Sequence, residues 1–182
     1  VVEHFGPAHA VIAHSVGGAA TCLAVHQGLA VTRVALVAPP ADLALWFERF
    51  SLGLAVPEAL ASGVRRHVER RLNAPLTTFN AEAIGGSIDV PLLVVHDDRD
   101  REVPFSHGER VAKSVAAGSL VKTSGLGHRR ILGHADVVRD VVAFASAGTG
   151  VGTTLEAALD AELFDPTLRE VAVAFDHAAH AA

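Results

Sequence analysis

Sulfur is scarce in this sequence, which contains one cysteine and no methionine among 182 residues. The single cysteine, Cys22, excludes a disulfide within the chain, which fits a reducing compartment and favours a cytoplasmic protein. Since the sequence begins with Val1 and has no starting methionine, we expect it to be a fragment of a longer chain.

Long apolar runs are also absent, although half of the residues are hydrophobic. No stretch approaches the length that spans a membrane, and no basic segment followed by an apolar one resembles a signal peptide. We therefore expect a soluble chain without a membrane span, which is long enough to bury a sizeable core.

Neither sign of charge is in excess over most of the chain. Residues 1–146 carry 14 of the 15 basic side chains and 14 of the 20 acidic ones, so the net charge of −5 arises in residues 147–182. A neutral body gives no reason to expect nucleic acid as a partner. Among the eleven histidines, the pairs His128/His134 and His177/His180 are the alternative that would favour a metal site, but neither a metal nor another cofactor is predicted.

Short apolar runs are abundant, and four of them predict strands, at about residues 8–14, 33–38, 90–96 and 119–123. These runs are continuous rather than alternating, which is typical of parallel strands buried on both faces. Helical patterns lie between them, one of them beginning at Ser106. The sequence therefore predicts an α/β fold, with a mostly parallel sheet flanked by helices.

The sharpest local signal is the turn Ala13-His14-Ser15-Val16-Gly17-Gly18. An apolar strand ends at a serine and a helix begins at once, an arrangement that holds a serine hydroxyl exposed on strained backbone. The familiar pattern is Gly-x-Ser-x-Gly, and alanine stands here at the first glycine position. A tight connection from strand to helix, without any chemistry, is the alternative.

Polar side chains follow the third and fourth predicted strands. Asp97, Asp98 and Asp100 come after the third strand, and His128 comes after the fourth. Because loops at the carboxyl ends of parallel strands meet at one edge of a sheet, the serine, an acid and the histidine can meet. The imidazole would take the serine proton, and the carboxylate would hold the imidazole. The spacing to Val103-Pro104 favours Asp100 as the acid.

The order serine, aspartate, histidine resembles that of the α/β-hydrolases, of the serine esterase and lipase-like type. The matching pieces are Ala13–Gly18, Asp100–Pro104 and Gly127-His128, which lie within residues 8 to about 146. The resemblance implies the C-terminal part of that fold, without the strands that precede the nucleophile in complete members.

The resemblance also assigns roles to residues. Ser15 is the nucleophile, Asp100 the acid and His128 the base, and the backbone N–H of Val16 donates to the oxyanion. Complete members supply a second donor from a segment before the nucleophile, and only 14 residues precede Ser15 here. Losing one such donor costs about 100- to 1,000-fold in turnover, so we expect impaired activity in this chain alone.

By the same resemblance, residues 1–147 are a partial hydrolase domain in which residues about 40–89 form a helical cap. Residues 148–182 are a glycine-rich joint with an acidic helical tail. In the cap, Trp46, Phe47 and Phe50 are candidates for substrate binding, with packing in the core as the alternative.

A second feature of the cap is its arginines. The basic cluster Arg65–Arg71 is predicted to be a solvated face, with binding of an anionic substrate as the alternative.

The predicted function is hydrolysis of carboxylic esters or thioesters of a small molecule through an acyl-enzyme, and amide or peptide hydrolysis by the same triad stays open. A non-catalytic, hydrolase-like binding module is the alternative from another class. Strand 8–14 would have an open apolar edge, so we expect it to self-associate, to aggregate or to be covered.

Overall fold

The structure is a computed structural model that describes residues 6–149, and its centre is a four-stranded parallel sheet. The strands lie in chain order across the sheet: β1 (Ala8–His14), β2 (Val31–Val37), β3 (Leu92–Asp97) and β4 (Gly118–Thr123). The predicted α/β class and the four predicted strands are confirmed. The predicted acidic tail lies almost wholly outside the described residues.

The two inner strands form the buried middle of the sheet. Residues 34–37 of β2 and 92–95 of β3 are all buried, and apolar clusters cover both faces of the sheet. A strand that is covered on both faces needs apolar side chains at successive positions, which explains why these two runs do not alternate.

The two outer strands are less buried than predicted. Most residues of β1 and β4 are half-buried, and the Ile12 side chain in β1 is 53% exposed. The prediction of strands buried on both faces is wrong for these two, because within residues 6–149 each has a neighbouring strand on one side only. Self-association through strand 8–14 stays a prediction.

Seven α-helices accompany the strands within residues 6–149. They are α1 (Val16–His26), α2 (Leu43–Gly53), α3 (Glu58–Leu72), α4 (Ala81–Ile84), α5 (Phe105–Ser114), α6 (Gly127–Arg130) and α7 (Ala135–Ser146). Helices α1, α4 and α5 contribute to the apolar cluster on one face of the sheet, and α7 contributes to the cluster on the other. Among the described residues, no helix combines the length and apolar composition that crossing a bilayer requires.

Helices occupy much of residues 40–89, between β2 and β3, as the apolar spacing predicted. Helix α2 begins after Asp42, whose carboxylate accepts a hydrogen bond of 2.9 Å from the Leu45 N–H. The Arg65 guanidinium connects the two longer helices, since it donates to Glu69 within α3 at 3.1 Å and lies 3.5 Å from Glu48 of α2. The predicted domain limits stay predictions.

The start of α5 differs from the prediction of a helix opened by Ser106. The helix begins one residue earlier, at Phe105, and no side chain caps this end. Pro104 precedes the first turn with a φ of −54°, which the proline ring fixes, so the chain enters the helix from a rigid extended residue.

Gly108 of α5 packs directly against the imidazole of His96, a fully buried residue of β3. A Cβ atom at Gly108 would overlap the ring and would lie 2.9 Å from the His96 Cβ, so the helix and the strand would have to shift. We expect Gly108→Ala to lower the free energy of unfolding by about 1–3 kcal/mol in urea titrations. The control is Gly63→Ala in α3, where an added Cβ meets no atom within 4 Å. It should stabilise the protein by about 0.5–1 kcal/mol, and equal effects at the two sites would contradict the packing described.

His107 makes the stability of the fold depend on pH. Its Nδ1 accepts a hydrogen bond of 3.0 Å from the Ala41 N–H, which only the unprotonated nitrogen can do. Burial and then the nearby Arg110 lower the pKa of His107, so the unfolded chain binds this proton more readily than the folded one. The stability that neutral His107 contributes is complete above about pH 6.5 and is lost as the pH falls through the lowered pKa.

We therefore expect His107→Gln, which keeps an acceptor but no titrating ring, to flatten the pH dependence of stability. Between about pH 7.5 and 5.5, the free energy of unfolding should fall more steeply for the wild type than for the variant. The two slopes should differ by at most about 1.4 kcal/mol per pH unit. Chemical denaturation at several pH values measures this slope. Parallel curves for the two proteins would contradict the assignment.

Candidate active site

Ser15 lies on the sharp turn between β1 and α1. Its φ of +53° is unusual for a residue with a side chain, and the turn is held by a hydrogen bond of 2.9 Å from the Ser15 N–H to the Val37 carbonyl. Gly18 permits the close packing, because a Cβ atom there would lie 3.0 Å from the Pro39 Cβ. Gly17 has no such restriction, since a Cβ atom there would meet its nearest neighbour at 3.9 Å.

Three side chains that follow β1, β3 and β4 form one hydrogen-bonded chain at the carboxyl edge of the sheet. His128, in α6 after β4, has its Nε2 3.0 Å from the Ser15 Oγ. Its Nδ1 lies 2.7 Å from the Asp100 Oδ2, in the loop after β3. His128 and Asp100 are buried, whereas Ser15 is half-buried and lines a cavity.

The Asp100 carboxylate is held as an anion. Its Oδ1 accepts hydrogen bonds of 2.8 Å from the backbone N–H groups of Glu102 and Val103. Burial by itself raises the pKa of Asp100, but the hydrogen bonds from His128, His96 and Val103 outweigh it and hold the pKa well below its usual range. Asp100 is therefore charged at neutral pH and can fix the orientation of the His128 ring.

His14 supports His128 from the other side. The His14 Nε2 donates a hydrogen bond of 3.0 Å to the His128 carbonyl, and the two ring centroids are 4.6 Å apart. Burial and then the nearby His128 ring lower the pKa of His14, which keeps its ring neutral near pH 7. The residue before the serine thus positions the backbone of the histidine that contacts the serine.

His96 braces the loop that carries Asp100. Its Nε2 donates a hydrogen bond of 2.9 Å to the Val103 carbonyl and lies 3.4 Å from the Asp100 Oδ2. The ring is fully buried and meets the Phe105 ring edge to face, with centroids 5.9 Å apart. From their positions at strand ends, the sequence predicts that His14 and His96 are orienting or packing residues, without specifying these contacts.

The two alternative acids contact other groups. Asp97 accepts hydrogen bonds of 2.9 Å from the Thr123 hydroxyl and the Leu126 N–H, and it thereby joins the ends of β3 and β4. Burial raises the pKa of Asp97, but these and other hydrogen bonds outweigh burial and lower it. Asp98 forms an ion pair of 3.1 Å with Lys122. Of the three aspartates, Asp100 is the one within hydrogen-bond distance of His128.

A cavity of about 670 Å³ opens beside Ser15. Trp46 and Phe50 of α2 line it, and their rings stack with centroids 4.9 Å apart. Phe47, the third aromatic candidate, lines a separate cavity of about 310 Å³ between α2 and α3. The structure therefore brings two of the three candidate aromatic residues to the serine.

Charged residues that sequence reasoning missed line the same cavity: Arg49, Arg101, Glu102 and Arg129. Arg49 lies three residues after Trp46 on α2, and the other three directly follow the candidate acid or the candidate base. Their closeness in sequence to Trp46, Asp100 and His128 was the signal that could have identified these residues as part of the site. The cluster that sequence reasoning considered instead, Arg65–Arg71, does not line this cavity, and its first member is bound to carboxylates.

Comparison with solved structures supports the fold. A hydrolase from Pseudomonas aeruginosa PA01 is 22% identical, with a TM-score of 0.56 over 81% of this chain and 68% of its own. The esterase domain of a Rhodothermus marinus protein is 20% identical, with a TM-score of 0.53 over 83% and 62%. An alpha/beta hydrolase enzyme from a sediment metagenome of the Mar Chica lagoon, Morocco, is 12% identical, with a TM-score of 0.55 over 80% and 64%.

These likenesses rest on structure, since no family model and no curated protein sequence matches the chain. The chain spans 62% to 68% of the lengths of the three solved chains. The four parallel strands and the helices around them agree with the resemblance inferred from the motifs. The chain has the α/β-hydrolase fold.

Proposed function

We propose that this protein is a serine hydrolase that cleaves carboxylic esters or thioesters of small molecules. The observation that carries the proposal is the hydrogen-bonded chain from the Ser15 Oγ through His128 to the Asp100 carboxylate, with its 3.0 and 2.7 Å steps. An unaided serine hydroxyl is a weak nucleophile at neutral pH, and this arrangement is one that removes its proton as it attacks.

The reaction proceeds through an acyl-enzyme. As the Ser15 Oγ bonds to the substrate carbonyl carbon, its proton passes to the His128 Nε2. When the tetrahedral intermediate collapses, the His128 imidazolium gives that proton to the departing alcohol or thiol. A water molecule then gives a proton to His128, attacks the acyl carbon and releases the acid, and the proton returns to Ser15. Asp100 stabilises the imidazolium in each half-reaction.

Two further features support the proposal. Val16 is the first residue of α1, and its backbone N–H makes no hydrogen bond within residues 6–149, so it can donate to the oxyanion that forms next to Ser15. The cavity beside the serine, with Trp46 and Phe50 in its wall, has the size of a small-molecule site. Among the similar structures are a hydrolase and an esterase domain.

Labelling with a fluorophosphonate probe tests the proposal directly, because the probe bonds to an activated serine. We expect modification at Ser15 of the wild type, located by peptide mass spectrometry, and none in Ser15→Ala. His128→Ala and Asp100→Asn should lower the labelling rate by about 1,000-fold or more, since the histidine and the aspartate act on the serine as a unit.

Ser106→Ala serves as the matched control, because Ser106 is an exposed serine of α5 outside the site, and labelling should be unchanged. Labelling that persists in Ser15→Ala would contradict the proposal. Absence of labelling in the wild type would favour the alternative, a non-catalytic binding module on the same fold.

A further inference from the structure

The cavity beside Ser15 carries an excess of positive charge. Three arginines line it, Arg49, Arg101 and Arg129, against one lining carboxylate, Glu102. The Arg129 guanidinium donates a hydrogen bond of 3.0 Å to the Glu102 carboxylate, and the buried Asp100 carboxylate is hydrogen-bonded to His128. This leaves the other two guanidinium groups as the cationic part of the wall.

Arg49 and Arg101 make no side-chain hydrogen bond and no ion pair within residues 6–149, and both are exposed. They reach the cavity from different elements, since Arg49 lies on α2 and Arg101 lies in the loop that directly follows Asp100. A cleft lined by one sign of charge attracts ligands of the opposite sign. The guanidinium fork also matches the two oxygens of a carboxylate.

The remaining wall is apolar. The stacked rings of Trp46 and Phe50 line the cavity with Leu54 and Pro104, and half of the Phe50 side chain is exposed. A hydrocarbon chain or ring placed here would bury that surface. The cavity thus combines an apolar wall, a serine and two cationic groups without partners of their own.

We propose that this site takes esters that carry a carboxylate, which Arg49 and Arg101 bind while the ester group lies at Ser15. The inference rests on the proposed hydrolase function and narrows its substrate class. It differs from the alternative drawn from the sequence, in which Arg65–Arg71 would bind an anion, because those residues do not line the cavity.

Matched substrates test the charge preference. We expect the protein to hydrolyse 4-nitrophenyl hydrogen glutarate with a kcat/KM about 10-fold above that for its neutral methyl ester, at low ionic strength. Arg49→Gln with Arg101→Gln should bring the ratio close to one, because the value for the anionic ester falls further than the value for the neutral ester. Arg71→Gln, which removes a charge from α3 outside the cavity, should leave the ratio unchanged.

Binding to Ser15→Ala separates this inference from the proposed function, because it needs no turnover. By calorimetry, the carboxylate ester should bind this variant about 10-fold more tightly than the neutral ester, and adding the two arginine substitutions should abolish the difference. Equal binding of the two esters, or a preference that survives those substitutions, would overturn the carboxylate site even if Ser15 is labelled. If Ser15→Ala binds the carboxylate ester more tightly but the fluorophosphonate probe does not label the wild type, the carboxylate site is supported and the hydrolase function is refuted.

Discussion

The parallel register of the four strands is the constraint on which the rest of the site depends. His14 lies beside Val37, Val37 beside Val95, and Asp97 beside Thr123, so the strands end at nearly the same level. The loops that carry Ser15, Asp100 and His128 therefore leave the sheet at one edge. A shift of one strand by a single residue would also turn its buried side chains to the opposite face, which the apolar core on both faces opposes.

Two carboxylates at and just after the end of β3 have different roles, which follow from their hydrogen-bond partners. Asp97 is fully buried and binds groups at the end of β4, so it fixes the spacing between the two loops. The Asp100 Oδ1 accepts hydrogen bonds from two backbone N–H groups of its own loop, and its Oδ2 is hydrogen-bonded to the His128 ring. A buried anion is tolerable in both places because each is surrounded by donors. The supporting histidines, His14 and His96, extend this network through hydrogen bonds to the carbonyls of His128 and Val103.

In the proposed function, the loops at the sheet edge hold the reacting groups, and helix α2, between β2 and β3, lines the cavity beside them. Helix α2 places apolar rings and the Arg49 guanidinium on the same cavity. The arginines of α3 do not line this cavity, and Arg65 forms ion pairs with Glu48 and Glu69. An arginine is available to a ligand only where neighbouring carboxylates have not already bound it, a property that depends on which helices pack together.

The sequence by itself determined the strands, the α/β class, the serine turn and the order of Ser15, Asp100 and His128, because these follow from local apolar runs and from loops that must share a sheet edge. Spacing favoured Asp100 among the three aspartates, but the sequence could not show the contact of Asp100 with His128 or those of Asp97 with Thr123 and Leu126, since these groups come from β4 and the segment after it. It also could not exclude Phe47 from the cavity or include Arg49 and Arg101 in it. Those outcomes were decided by tertiary packing, because residues close in sequence on α2 face different neighbours once the chain has folded.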